Sequence, residues 1–219
     1  MPRAIVFDLD GTLVDTVPIR IAAWMAAFGE AGIDASREEL APMIGSDGRR
    51  LAREIAATHG RDLDDAAAEE LDRRAGEVHD ELNRDPRPLP GADDLLRLLD
   101  RRKLLWAIAT SSRRDQVRAS IAALHMDHAP LVVDGSRVAH AKPAPDLLLL
   151  AARELALPPD ACWYIGDATW DMRAAVAAGM PAIGVTAGSA VGGGALLEAG
   201  ASMVCATLAD VQARLVDVV

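Results

Sequence analysis

The sequence predicts an α/β fold in which a Rossmann-like parallel sheet is sandwiched by helices and a small all-α cap domain is inserted after the first strand. Three observations support this prediction. The chain begins with a short apolar run of the kind that forms a buried strand. A long tract with helical periodicity and little strand character follows, from about residue 16 to residue 85. Beyond it, short apolar runs alternate with helical segments, which is typical of βαβ units and of a sheet covered on both faces.

The first strand and the helical tract account for the first 85 residues. We expect the strand at about residues 4–9 and amphipathic helices in IRIAAWMAAFGEAGI and LAREIAATHG. The mixed charges of RDLDDAAAEELDRRAGEVHDEL indicate a solvated helix face. The segment RDPRPLPGADDLL carries three prolines and a glycine, which is typical of a linker followed by a helix start. We therefore expect a core domain of residues 1–15 and 86–219 and a cap domain of residues 16–85.

The second half of the chain alternates between strands and helices. Strands are predicted in LLWAIAT, PLVVD, CWYIG and PAIGV, and helices in RRDQVRASIAAL, APDLLLLAAREL and WDMRAAVAAG. Right-handed crossovers place the carboxyl ends of such parallel strands at one edge of the sheet, where these folds bind ligands. We expect Asp8, Asp10, Thr110 and Asp167 to meet at that edge, because all four fall at predicted strand ends. The segment GSAVGGG is predicted to be a flexible loop, since it lacks the Gly-Lys-Ser/Thr of a phosphate-binding loop.

Composition and charge argue against several classes of function. The 219 residues are 51% hydrophobic, which is enough for a sizeable core, but the few aromatic residues (four Trp, two Phe, one Tyr) disfavour an aromatic-lined nucleic-acid groove. The formal net charge of −10 argues against broad binding to nucleic acid or to an anionic membrane. MPRAIVF does not resemble a signal peptide and no apolar run approaches the ~20 residues that span a bilayer, so a cytoplasmic location is expected. Cys162 and Cys205 lack metal or redox spacing and are expected to be reduced, buried thiols.

Two carboxylates stand one residue apart at the end of the first strand, in AIVFDLDGTLVDT. Like charges in contact raise one another's pKa, so Asp8 and Asp10 form an unfavourable pair unless something compensates it. A bound cation is the simplest candidate. A site for a phosphate ester has related needs: a nucleophile, a cation, fixed positive donors and a proton source.

Four segments, DLDGTLVD, IATSS, HAKPAPD and YIGDATWDM, contain side chains that meet these needs. Each lies at or after a predicted strand end, and together they resemble the motifs of the haloacid dehalogenase superfamily of phosphotransferases. The resemblance covers essentially the whole chain, the helical tract is similar to that family's small mobile cap, and the most similar branch is that of phosphoglycolate phosphatase and β-phosphoglucomutase. Two features depart from the pattern: His140-Ala141 precede the motif lysine, and an apolar Trp170, expected to be exposed, follows Asp167. His140 and Trp170 are therefore candidates for the substrate pocket.

The resemblance implies roles for the acidic residues. Asp8 would be the nucleophile that forms an aspartyl phosphate, and Asp10 would donate a proton to the leaving oxygen and later take one from water. A Mg²⁺ site would be formed by a carboxylate oxygen of Asp8, the backbone carbonyl of Asp10 and Asp167. Asp171, one helical turn later, is either a direct or water-mediated ligand or an aspartate that stabilises the helix N-terminus.

The resemblance also implies the groups that bind the phosphoryl group. They are Gly11, the hydroxyl of Thr110, the backbone N–H of Ser111 and the ammonium of Lys142. A simple N-cap is the alternative for Thr110, and an exposed loop lysine is the alternative for Lys142.

Further expectations concern the cap, the hinge to the cap and two histidines. By resemblance, cap residues near Arg49 and Arg50 reach the site and choose the substrate, with a solvated surface charge as the alternative for each. Asp15 is expected to order the hinge to the cap rather than to react. His125 and His128 are expected to mark a helix end rather than a metal site, because no other ligand accompanies them.

The leading hypothesis is a Mg²⁺-dependent phosphatase acting on a small phosphorylated metabolite, as a monomer or homodimer without nucleic-acid or membrane partners. A phosphosugar mutase uses the same residues and is the main alternative. A haloacid dehalogenase needs neither the metal nor Asp10, and a phosphonate hydrolase needs a cap lysine, although no lysine precedes Arg102. A non-catalytic binding module on the same fold is the remaining alternative. The helical, Ala-rich cap does not identify the substrate.

Overall fold

The computed structural model describes residues 1–216, which form a six-stranded parallel sheet of order β3-β2-β1-β4-β5-β6. The strands are β1 Ala4–Phe7, β2 Leu105–Ala109, β3 Val132–Val133, β4 Cys162–Gly166, β5 Ala182–Val185 and β6 Met203–Cys205. The central strand β1 pairs with β2 on one side and with β4 on the other. The strand order reverses at β1, and parallel sheets bind ligands at such a point. The predicted α/β class is confirmed.

Helices connect the strands and build the inserted segment. They are α1 Val17–Glu30, α2 Arg37–Leu40, α3 Gly48–Thr58, α4 Asp65–Leu82, α5 Ala92–Arg102, α6 Arg118–Ala123, α7 Asp146–Glu154, α8 Thr169–Ala178, α9 Gly193–Glu198 and α10 Leu208–Val216. Local signals explain several starts: Ser36 and Glu39 form a capping box before α2, and Asp47 and Asp64 cap α3 and α4 through their side chains. The helix predicted from residue 113 begins only at Arg118, after a turn.

Three hydrophobic clusters hold these elements together. The alternation of β1 sends Ile5 and Phe7 to the face covered by α5 and α10, and Ala4 and Val6 to the face covered by α7, α8 and α9. A third cluster joins α1 to α4, and its buried members from beyond residue 75 are Ala168 and Trp170, among the described residues. A separate cluster is what an inserted cap domain requires, and the boundaries at residues 15/16 and 85/86 stay a prediction.

The structure also shows the state of the two cysteines and the character of the helices. Cys162 and Cys205 are both free and buried, as expected. Within residues 1–216, no helix is both long enough and apolar enough to cross a membrane.

Trp170 was expected to be exposed, and this expectation is wrong. Its side chain is 5% exposed and belongs to the hydrophobic cluster of the inserted helices. The indole Nε1 donates to the carbonyl oxygen of Pro42 at 2.8 Å, and the guanidinium groups of Arg50 and Arg173 lie 4.7 and 4.8 Å from the ring centroid. The first turn of α8 faces the inserted helices, so an apolar side chain there is covered by them.

We predict that Trp170→Ala destabilises the protein by about 3–5 kcal/mol, because it removes a buried aromatic side chain and leaves a cavity. The free energy of unfolding in urea measures this loss. Trp170→Phe keeps a ring in the cluster and should lose distinctly less. An alanine variant as stable as the parent would show that Trp170 does not fasten the helices to the sheet domain.

Candidate active site

The site lies where the carboxyl ends of β1, β2 and β4 meet. Asp8 directly follows β1, and its N–H still donates to the Ile165 carbonyl of β4 at 2.8 Å. Thr110 directly follows β2, and Asp167 directly follows β4. All three side chains are buried. The structure therefore brings these predicted residues together at the expected edge.

A tight turn after Asp10 brings the first loop against Asp167. Gly11 has a φ of +85°, and a Cβ there would overlap both the Asp167 carboxylate and Val17. The next residue, Thr12, donates its hydroxyl to Asp167 Oδ1 at 2.8 Å. The N–H of Gly11 donates to the Val14 carbonyl within this turn, so the observed contribution of Gly11 is to loop shape. Phosphate binding by Gly11 stays a prediction.

Three buried carboxylates form a candidate metal centre. Asp8, Asp167 and Asp171 each offer an oxygen, and these oxygens lie within 4.8 Å of one another. Burial raises the pKa of Asp8 to about 7, with Lys142 opposing and the carboxylates of Asp171 and Asp10 adding to the rise. Burial, Asp171 and Asp8 likewise raise the pKa of Asp167 well above its usual value. Hard oxygen ligands in an electrostatically unfavourable cluster fit a divalent cation such as Mg²⁺.

Lys142 is the cation that the chain itself supplies to this cluster. Its ammonium is buried, forms an ion pair with Asp8, and lies 2.7 Å from Asp171 Oδ1. Burial lowers the pKa of Lys142, but the Asp171 and Asp8 carboxylates outweigh burial and raise it above its usual value. Lys142 therefore stays charged. Lys142 is therefore not an exposed loop lysine, which was the alternative prediction for this residue.

Asp171 is held by the protein through both carboxylate oxygens. Its Oδ2 accepts the N–H groups of Asp167 and Ala168 at 3.1 and 2.9 Å, as an aspartate in the first turn of α8 can. Its Oδ1 faces Lys142 and lies 3.0 Å from the Tyr164 hydroxyl. A side chain at Gly166 would overlap Asp171, so the glycine of YIGD makes room for this arrangement. Asp171 thus caps the first turn of α8 and also belongs to the acidic cluster.

Asp10 lies beside the cluster but its carboxylate has other partners. It accepts from Thr16 at 2.6 Å, from Ser112 at 2.7 Å and from Arg20 at 3.1 Å. Burial raises the pKa of Asp10, but the Arg20 cation and the hydrogen bonds from the Thr16 and Ser112 hydroxyls bring it below the usual value. Asp10 is therefore ionised in the free protein.

The partners Arg20 and Ser112 were missed by the sequence reasoning. An arginine between two isoleucines near the start of α1 is the signal that could have found Arg20, since a cation on an apolar helix face needs a partner. Ser112 follows directly after the predicted Thr110 and Ser111.

Two hydrogen bonds connect the loop before α3 to the site. Ser111 donates its hydroxyl to the Gly45 carbonyl at 3.2 Å, and the N–H of Asp47 donates to the carbonyl of Lys142 at 3.2 Å. Thr110 is buried, and its hydroxyl oxygen accepts the N–H of Ser112 at 3.1 Å. The inserted helices thus contact the segments that carry three of the predicted site residues.

A cavity of about 60 Å³ lies between these helices and the strand ends. The core contributes Asp8, Asp10 and residues 110–112 to its wall, and the inserted helices contribute Arg20 and Asp72 among others. The cavity is the space in which a substrate would meet the Asp8 carboxylate.

The predicted substrate-selecting residues do not line this cavity. Arg49 is paired with Asp47 at 3.2 Å and faces Glu69 at 3.9 Å, beside a neighbouring cleft of about 330 Å³. Arg50 pairs with Glu54 and stacks on the Trp170 indole. The exposed side chain of His140 lies 3.2 Å from Asp146. A role of Arg49 in substrate choice stays a prediction.

Comparisons with known proteins agree with this geometry. The family model described as haloacid dehalogenase-like hydrolase matches residues 5–185. The fructose-1-phosphate phosphatase YqaB of Escherichia coli (strain K12) is 34% identical over 182 residues, which cover 83% of this chain and 95% of that protein. A phosphoglycolate phosphatase of Xanthomonas campestris pv. campestris (strain 8004) is 31% identical over 194 residues, covering 87% and 86%.

A solved structure is similar over nearly the full length of both chains. The crystal structure of a hydrolase from Pseudomonas syringae has a TM-score of 0.91 and 33% identity, and the match covers 98% of each chain. The acidic cluster lies at the carboxyl edge of a parallel α/β sheet, where sheets of this kind bind ligands. The chain belongs to the haloacid dehalogenase-like hydrolase family. Within that family it is an enzyme of the phosphatase type.

A fully buried histidine of α4 lies within electrostatic reach of Asp10 and Arg20. Neither ring nitrogen of His79 has a hydrogen-bond partner within the described chain. Burial and the Arg20 cation lower the pKa of His79, Asp10 opposes them, and the result is about 3. His79 is therefore neutral at physiological pH.

We predict that His79 makes the fold sensitive to acid. Its folded-state pKa of about 3 lies below the unfolded value of 6.5, so protonation favours the unfolded state as the pH falls below 6.5. Between pH 7 and pH 5 this should cost about 2 kcal/mol of unfolding free energy. His79→Leu should remove that part of the pH dependence in urea unfolding, whereas His128→Gln, at a half-exposed histidine, should not. Equal pH dependence in the parent and His79→Leu would contradict the assignment.

Proposed function

We propose that the protein is a Mg²⁺-dependent phosphatase that hydrolyses the phosphate monoester of a small metabolite through an aspartyl phosphate on Asp8. One observation carries the proposal. The buried Asp8 carboxylate is paired with Lys142, belongs to an acidic cluster that fits a divalent cation, and lines a cavity together with Asp10. The residues proposed as nucleophile, cation, metal ligands and proton carrier thus lie within one site.

In the first step a carboxylate oxygen of Asp8 attacks phosphorus. A bond forms between Asp8 and the phosphoryl group, the bond from phosphorus to the ester oxygen breaks, and Asp10 gives its proton to the leaving oxygen. Lys142 stabilises charge on the phosphoryl oxygens, and the Thr110 hydroxyl and Ser111 N–H are placed at the cavity wall to bind them.

In the second step water attacks the phosphorus of the aspartyl phosphate. Asp10 takes the proton from this water, the bond from phosphorus to the Asp8 oxygen breaks, and inorganic phosphate and the free carboxylate result. Asp10 is ionised in the free protein, so it must gain a proton when substrate arrives. The negative charge of a phosphate ester in the same cavity raises the pKa of Asp10 and favours that gain.

The metal would be held by Asp8, by Asp167 and by the carbonyl oxygen of Asp10. That carbonyl accepts no backbone hydrogen bond within residues 1–216, so it is available as a ligand. Asp171 is already bonded to the protein through both oxygens, which favours an outer or water-mediated position. When bound, Mg²⁺ neutralises the carboxylate cluster and the charge on the transferring phosphoryl group.

The phosphosugar mutase alternative is not favoured. A mutase whose phosphoenzyme phosphorylates a sugar phosphate forms a bisphosphate, and the second phosphate of that bisphosphate needs a cation. The basic residue that lines the cavity, Arg20, is already paired with Asp10. The oligomeric state and cellular location stay predictions.

We predict that Asp8→Asn abolishes phosphatase activity on every ester at every pH, because an amide cannot form the acyl phosphate. Release of inorganic phosphate from a panel of esters in Mg²⁺ measures this, and chelation by EDTA should abolish the activity of the parent. Asp15→Asn is the matched control, since Asp15 is exposed and lies outside the cavity lining. Undiminished turnover after exhaustive chelation, or in Asp8→Asn, would refute the proposal.

We predict that Asp10→Asn slows esters of alkyl alcohols by ~10²- to 10⁴-fold, the usual contribution of general acid catalysis. The phenolate of an aryl phosphate can leave without being protonated, so aryl phosphates should still react in a first burst. Breakdown of the intermediate also needs a base, so the phosphoenzyme should accumulate. Mass spectrometry should then find a phosphoryl adduct on the peptide that contains Asp8. An adduct on another residue would contradict the assignment of the nucleophile.

A further inference from the structure

Among residues 1–216, no basic side chain that lines the cavity beside Asp8 is free to pair with an anionic leaving group. Its charged lining residues are Asp8, Asp10, Asp72 and Arg20. The Arg20 guanidinium donates to Asp10 at 3.1 Å and to Ser112 at 3.0 Å, so it is already paired. A carboxylate on the leaving group would therefore find no unpaired cation among these lining residues.

Asp72 of α4 presents one carboxylate oxygen that has no protein partner. Its Oδ2 accepts from Arg113 at 3.2 Å, but its Oδ1 accepts no hydrogen bond within residues 1–216. Oδ1 packs against Gly48, where any Cβ would overlap it. Burial raises the pKa of Asp72, Arg113 opposes it, and the carboxylates of Asp47 and Glu69 add to the rise.

Gln116, in the turn before α6, lines the same cavity and offers a donor. Its Oε1 accepts the N–H of Arg113 at 3.0 Å, and this bond fixes the orientation of the amide. The amide Nε2 then lies against Gly76, where a side chain would overlap it. Nε2 donates to no residue of the described chain. Gly76 is one helical turn after Asp72, so the acceptor and the donor share one face of α4.

We propose that the leaving group is a small, uncharged polyhydroxyl alcohol whose hydroxyl donates to Asp72 Oδ1 and accepts from Gln116 Nε2. This inference rests on the proposed phosphatase function and names its substrate class. A hydroxyl satisfies both groups at once, whereas a carboxylate can only accept. Trp24, Ile44 and Leu51 give the cavity apolar walls that suit the C–H faces of a carbon chain. The substrates are then phosphates of small polyols or ketoses rather than of hydroxy acids.

A matched pair of substrates tests the proposal. Glycerol 3-phosphate and 3-phosphoglycerate share a carbon skeleton and differ in one CH₂OH or carboxylate group. With Mg²⁺, kcat/KM should favour glycerol 3-phosphate by at least about 10²-fold, the scale of desolvating a carboxylate that gains no cation partner. p-Nitrophenyl phosphate, which has neither hydroxyl nor carboxylate, reports whether the enzyme is a phosphatase at all.

Variants connect the preference to named residues. Asp72→Asn keeps the shape but removes the charge, and should reduce the ratio of the two kcat/KM values at least about tenfold. Gln116→Leu should lower kcat/KM for glycerol 3-phosphate more than for p-nitrophenyl phosphate. Glu69→Gln is the matched control, because Glu69 pairs with the same Arg113 but does not line the cavity, and it should leave the ratio unchanged.

The failures are distinguishable. Loss of turnover on all esters, including p-nitrophenyl phosphate, would overturn the phosphatase function and this inference together. Turnover of p-nitrophenyl phosphate with equal or greater preference for 3-phosphoglycerate would overturn the substrate class alone. An Asp72→Asn ratio equal to that of the parent, in a variant with parent-like thermal unfolding, would overturn the role of Asp72.

Discussion

The ion pairs of the buried Lys142 ammonium with Asp8 and Asp171 are the interactions on which the rest of the site depends. Three carboxylates meet at one edge of the sheet, and burial makes each of them costly in its charged form. Removing one partner from such a cluster typically costs about 3–5 kcal/mol, because it leaves an uncompensated buried charge. The neighbouring details serve this arrangement: Gly166 makes room for Asp171, and Gly11 lets the first loop reach Asp167.

The same residues connect the inserted helices to the chemistry. The carbonyl of Lys142 accepts from the N–H of Asp47, and Trp170, one residue before Asp171, packs among the inserted helices. A movement of these helices therefore changes contacts with the segments that carry the cation and the metal centre. The proposed mechanism expects these helices to close over the substrate, and the contacts above would couple that closure to assembly of the site.

Much of this arrangement can be predicted from the sequence, because it depends on local patterns. Short apolar runs locate the strands, and strand ends locate Asp8, Thr110 and Asp167. The strand β6 was not among the predicted strands, because its three residues are too few for a clear periodicity. The predicted exposure of Trp170 failed because local sequence does not show which helices cover the start of α8.

Local patterns also could not indicate Asp72, which we propose as a selectivity residue, or its ion-pair partner Arg113. Asp72 and Arg113 are 41 positions apart and belong to separate elements, so only the packing of α4 on the loop after β2 brings them together. A charged helix such as α4 is ordinarily solvated, and nothing in its own sequence singles out Asp72 as a carboxylate that faces a cavity.

The stereochemical course at phosphorus tests the central claim, covalent catalysis by Asp8, most directly. An isotopically chiral phosphorothioate ester would be hydrolysed in oxygen-18 water and the configuration of the product determined. Each in-line displacement inverts phosphorus, so transfer to Asp8 followed by transfer to water gives net retention. Net inversion would mean that water attacks the ester directly, and would contradict the account of Asp8 as nucleophile.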